Sequence, residues 1–135
     1  MGVRFQLVID CAEPEPLARF WAAALGYVLE PPPEGFATWD DYYRDLGLPE
    51  SFLGHGTDCI IDPAGSGPRV WFQMVPDVKT VKNRLHLDLI TDTFDAETGR
   101  LLSLGARRLR DVQGAGSSWT TFADIEGNEF DLIAG

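Results

Sequence analysis

Several residue types that build familiar kinds of site are scarce in this chain. It has two cysteines and two histidines in 135 residues, and 11 Lys and Arg stand against 21 Asp and Glu, a net charge of −10. Cys11 and Cys59, each inside an apolar strand-like segment, read most simply as buried, reduced thiols, with a disulfide or metal role for the pair as the lesser alternative. Phosphate backbones repel an acidic chain that has no basic stripe, so nucleic acid is not an expected partner. The one basic cluster, Arg107, Arg108 and Arg110, reads as the outer face of a strand. No apolar run approaches the length of a membrane span, so no membrane partner is expected. The opening MGVRFQLVIDCAEPEP lacks the basic stretch and long apolar core of a secretory signal, and the expected location is cytoplasmic.

What is present is 44% hydrophobic residues in a length suited to one domain, residues 1–135. RFQLVID alternates as a half-buried strand. Pro14 and Pro16 then suit a helix start, and PLARFWAAAL carries Leu17, Phe20, Trp21 and Ala24 at helical spacing before Gly26 stops it. YVLE reads as a short strand. Residues 34–56 differ in character, with aromatics, acids and glycine or proline punctuation, and read as a functional or mobile insertion. TDCIID and RVWFQMV read as two strands joined by PAGSGP.

The second half repeats the order. RLHLDLI is a strand and TFDAETGRLLSLGA a helix. RRLRD, SSWTTFAD and EFDLI follow as strands, with GAGSS and EGN as turns. Gln6 precedes Gly26 by twenty residues, and His86 precedes Gly105 by nineteen. The expected fold is α+β, a tandem βαβββ repeat with module one at 3–77, carrying the 34–56 insertion, and module two at 82–134. Mixed and antiparallel strands would curve around a pocket, one sheet face resting on the helices.

Within KNRLHLDLI, residues 82–90, Leu85, Leu87 and Leu89 alternate with Arg84, His86 and Asp88, so His86 lies opposite the apolar set. Asp10 and Asp88 share the parity of Gln6 and His86 but read as strand-end residues meeting solvent. His55, between two glycines, reads as a solvated loop residue.

FWAAALGY, VPDVKTVKNRLHLDL and DIEGNEFDLI together resemble the vicinal oxygen chelate superfamily of glyoxalase, bleomycin-resistance and extradiol-dioxygenase proteins, nearest its small bacterial glyoxalase-like branch. The resemblance spans residues 3–134. It implies that each module curls into a half-open sheet, that paired modules form a cavity, and that the protein is a homodimer. It also implies metal ligands on the first and last strand of each module, here Gln6, Gln73, His86 and Asp131, the last set by its position four residues after Gly127. Each of the four lies opposite the main apolar set of its strand, so all four are expected to face one cavity.

The donor set departs from the superfamily pattern, because two neutral amides replace the usual histidines or carboxylates and supply no charge to a cation. The leading expectation is a glyoxalase- or dioxygenase-like protein acting on a small molecule with a divalent ion, Asp131 moving a proton. The alternative is metal-free small-molecule binding, as in bleomycin-resistance proteins, with an aromatic wall of Phe36, Trp39, Tyr42, Tyr43, Trp71 and Trp119. A scaffold or regulatory module with an empty pocket is a third class.

Overall fold

The computed structural model describes residues 2–114 and 116–135; Ala115, inside the turn expected over GAGSS, lies outside the described residues. The chain divides into two compact units, Met1–Asp77 and Val78–Gly135. Each contains a four-stranded mixed sheet, and the architecture is α+β.

The first unit runs β1 (Leu7–Cys11), α1 (Pro14–Leu25), β2 (Val28–Leu29), α2 (Trp39–Asp45), a 3-10 turn (Glu50–Phe52), β3 (Cys59–Ile61) and β4 (Val70–Met74). Its sheet has the order β1-β4-β3-β2, with β1 parallel to β4 and the remaining pairs antiparallel. Proline begins α1, where a missing N–H costs no helical bond, and Gly26 ends it at φ 72°, its N–H returned to the Ala22 carbonyl. The buried stripe Leu17, Phe20, Trp21 and Ala24 follows from 3.6-residue spacing; with Ile60, Val70 and Phe72 it forms this unit's core.

The second unit runs β5 (Asp88–Thr91), α3 (Phe94–Ser103), β6 (Arg107–Gly114), β7 (Ser117–Ala123) and β8 (Glu129–Ala134). The order β5-β8-β7-β6 repeats the first sheet's plan, again with the first and last strands parallel. Leu101, Phe122, Phe130 and Leu132 are buried, and the Phe122 and Phe130 rings stack at 5.6 Å.

Two expectations need correction. β1 starts at Leu7 rather than Arg4, and β5 at Asp88 rather than Arg84. Phe5 and Leu85 therefore precede the first ladder pair of their strands, have no neighbouring strand to lie against, and are 76% and 82% exposed. The 34–56 insertion is also built more firmly than its composition suggested. Thr38 caps α2 through its side chain, and Trp39 and Tyr43 are buried. The Trp39 indole donates to the Glu30 carbonyl at 2.9 Å, and Asp40 accepts from the Gly54 N–H at 3.1 Å.

Removing a stacked ring leaves a cavity that a close-packed core only partly closes. Phe122→Ala should cost about 3–5 kcal/mol in denaturant unfolding, whereas Leu102→Ala, 43% exposed, should stay within about 1 kcal/mol of the parent.

Candidate functional site

The second sheet carries a polar row across all four strands. Register pairs Arg110 on β6 with Thr121 on β7, Thr121 with Asp131 on β8, and Asp131 with Asp88 on β5. Paired residues share a face, so the row is written into the ladder. A bulge between Arg108 and Arg110 is what brings Arg110 into it, because one unpaired residue changes which side chains reach each face.

Asp131 is half buried at the centre of this row. Thr121 Oγ1 donates to its Oδ1 at 2.6 Å, which leaves Oδ2 directed to His86 Nε2 at 3.5 Å. His86, two residues before β5, also lies 3.3 Å from Asp88 Oδ1. Its segment is held by Asn83, whose side chain accepts from the Glu129 N–H at 2.7 Å and donates to the Glu129 and Leu85 carbonyls. Next to Asp131, Arg110 donates to Glu129 at 2.8 Å, and this hydrogen bond holds the Glu129 carboxyl below its ordinary range.

His86, Asp88 and Asp131 each offer a ligand atom within 4.8 Å of the others. Donors about 2.0–2.2 Å from one ion lie roughly 3.0–3.5 Å apart, which the His86–Asp88 and His86–Asp131 separations match. One imidazole and two carboxylates also balance the charge of a divalent cation. The set fits a metal, with coordination positions left open for water or substrate oxygens. Beside it is a cleft of about 240 Å³ lined by Lys82, Arg110, Val112, Trp119, Thr121 and Phe130, together with His86, Glu129 and Asp131.

The other expected residues lie in the first unit. The Gln6 carbonyl oxygen accepts from Arg69 Nη1 at 3.0 Å, and Arg69 also pairs with Glu30 at 2.7 Å. Gln73 is paired with Asp10, whereas Gln6 precedes the Leu7–Val70 pair, so the two glutamines are four ladder steps, about 13 Å, apart. Within this unit they are not brought together. The distance from the end of the first strand to the following helix is the same in both units, and on that alignment Val8 and Trp71 take the places of Asp88 and Asp131. The carboxylate pair is thus particular to the second unit.

Among the expected aromatic residues, Trp119 lines the second unit's cleft and Trp71 lines a smaller one in the first unit. Tyr43 is committed to packing and to a hydrogen bond with buried Asp58 at 3.0 Å, and Tyr42 packs against Phe36 and Trp39. His55 is not simply solvated, since it lines the smaller cleft and its Nε2 donates to the Ser51 carbonyl at 2.8 Å. The outer-face reading of the arginine cluster fails at Arg110 for the reason the bulge supplies. Asp88 showed the parity of His86 in the sequence, yet it was expected only to end a strand and meet solvent; the structure sets it against His86 instead. Arg110 and Thr121 are the residues sequence reasoning passed over, although Thr121 shares the parity of Trp119.

A duplicated βαβββ-like plan with a His/carboxylate group on one sheet defines a class before any comparison, that of small proteins built from paired modules. The glyoxalase-like domain model matches residues 6–133, and the chain belongs to that family. No curated protein matches it in sequence. Solved structures share the fold. Hypothetical protein SA1046 of S. aureus is 15% identical with a TM-score of 0.65, covering 100% of this chain and 95% of its own. The fosfomycin resistance protein FosX of Mesorhizobium loti is 11% identical with a TM-score of 0.63, covering 100% and 93%. A member of the glyoxalase/bleomycin resistance protein/dioxygenase superfamily from Sphaerobacter thermophilus is 18% identical with a TM-score of 0.60, covering 100% and 98%. Among the described residues no helix is long and apolar enough to cross a membrane.

The Arg110–Glu129 pair gives a pH test. A carboxyl held low in the folded state contributes stability that is complete above its unfolded value, near 4.3, and is lost as pH falls through the folded value. Arg110→Met should raise the Glu129 titration midpoint in side-chain carboxyl NMR. The stability gap between parent and variant should be full at pH 6 and close in acid.

Proposed function

We propose that the second unit binds a divalent cation through His86, Asp88 and Asp131 and that the protein acts on a small oxygen-bearing molecule in the adjoining cleft, in the manner of a glyoxalase or dioxygenase. The observation that carries this reading is the convergence of one imidazole and two carboxylates from neighbouring strands, with Asp131 oriented by Thr121. A bound ion would supply Lewis acidity, polarising substrate oxygens and stabilising negative charge that develops on them.

The chain's own residues do the rest. Trp119 and Val112 offer an apolar wall that excludes water, and Lys82 and Arg110 offer positive charge to an anionic substituent. Asp131, with one oxygen held by Thr121, is a fixed ligand and a poor proton shuttle. Asp88, half exposed and bonded to fewer groups, would hold the ion through Oδ1, the oxygen beside His86, and its Oδ2 is the atom we assign to proton movement.

A second reading, metal-free binding of a small molecule, has its own support. The contacts of His86 with Asp88 and Asp131 let these groups satisfy one another without an ion. Fosfomycin is a suitable first ligand for either reading, given the likeness to a fosfomycin resistance protein.

Elemental analysis of untagged protein purified without chelator separates the two readings. One ion per chain in the parent, lost in His86→Ala and Asp131→Asn, is the expected result. Thr121→Val should keep the ion with affinity lower by roughly 10–100-fold, the usual effect of removing a partner that orients a ligand. Absence of metal in the parent, or equal metal in His86→Ala, contradicts the metal reading. Saturable tryptophan quenching by a ligand in metal-free protein would then favour the binder.

A further inference from the structure

We infer that the first unit contains a binding site for the ammonium end of a cationic small molecule, in the cleft lined by Ser51, Phe52, His55, Asp58, Trp71 and Gln73. Its floor is an unusual group. Asp58 is 4% exposed, and a carboxylate is taken this far from water only when it is well bonded. It accepts from the Tyr43 hydroxyl at 3.0 Å, the Trp71 indole N–H at 3.1 Å and the Cys59 thiol at 3.5 Å. All three donors are neutral, so they stabilise the charge without cancelling it.

Arg69 does not cancel it either. Arg69 reaches the Cys59 sulfur at 3.0 Å, but its guanidinium is paired with Glu30 at 2.7 Å. Glu30, Asp58 and Arg69 together therefore carry one excess negative charge. The same charge is felt nearby. Burial and then Asp58 push the Cys59 thiol well above its ordinary range, and the Tyr43 hydroxyl is raised by the same two causes in the same order.

The cleft over this charge suits a cation in shape and chemistry. No Lys or Arg is among its lining residues. Phe52 and Trp71 stack at 6.2 Å and 23°, giving an aromatic wall of the kind that attracts ammonium groups. Nε2 of His55 donates to the Ser51 carbonyl, and the Gln73 amide is a further polar group in the lining. The cleft is small, about 60 Å³. An ammonium end can sit over the carboxylate with the remainder of its molecule outside, and a primary amine is the simplest ligand of that kind.

The Trp71 indole N–H touches Asp58 directly and reports on the site. Butylammonium chloride is titrated into 15N-labelled protein at fixed ionic strength, with Trp71→Phe used to assign the indole signal and sodium butyrate as the control. The expected result is a saturable millimolar shift of the Trp71 indole signal with butylammonium and none with butyrate. Asp58→Asn should weaken binding by roughly tenfold or more. Gln73→Lys leaves Asp58 and its donors intact and places a tethered ammonium over the carboxylate. It should shift the Trp71 signal in the direction the probe drives it and abolish the titration. A wild-type signal that does not saturate, equal shifts with butyrate, or an unchanged titration in Gln73→Lys overturns the proposal.

Discussion

The parallel pairing of β5 with β8 is the constraint on which the second unit's site depends. Asp88 and Asp131 are ladder partners, so their carboxylates must emerge on the same face, side by side. Because side chains alternate strictly along a strand, a slip of one residue would turn Asp131 toward the helix and Phe130 toward the cleft. The buried pair Phe130 and Leu132 resists that slip, since exposing them would forfeit several kcal/mol of apolar burial. Core packing therefore sets the geometry of a polar site that contributes little to stability itself.

How much of this was readable from the sequence depended on how local each signal was. The repeat, the two main helices and most strands follow from periodicity and from glycine and proline positions, which act over a few residues. His86 and Asp131 were legible by the same means, since alternation places each opposite an apolar set. The start of β5 was not. Leu85 continues the alternating pattern, but a strand needs a partner, and pairing begins only at Asp88. Arg110 was hidden by the bulge, a feature of two strands in register that neither strand declares alone. Gln73 met the parity test yet lies four ladder steps from Gln6, because parity names a face and says nothing of position along it.

The duplicated plan has been put to different uses in its two copies. In the second unit the pair of ladder positions facing the cleft holds Asp88 and Asp131; in the first the equivalent pair holds Val8 and Trp71. The second unit presents an imidazole and carboxylates that are at least partly open to solvent. The first has withdrawn its charge into a network of Asp58, Tyr43, Cys59 and Arg69, tied down by the helix of the insertion. One fold thus supports two kinds of electrostatic environment, which is why membership of the family fixes architecture and leaves chemistry to the residues.

The convergence of His86, Asp88 and Asp131 on one point is the claim most open to direct observation. Anomalous diffraction from crystals soaked in a manganese(II) salt tests it without reference to any substrate. The account predicts a single strong peak about 2.0–2.3 Å from His86 Nε2 and from a carboxylate oxygen of Asp131. A map with no peak there, and with the His86 ring turned away from both carboxylates, would contradict it.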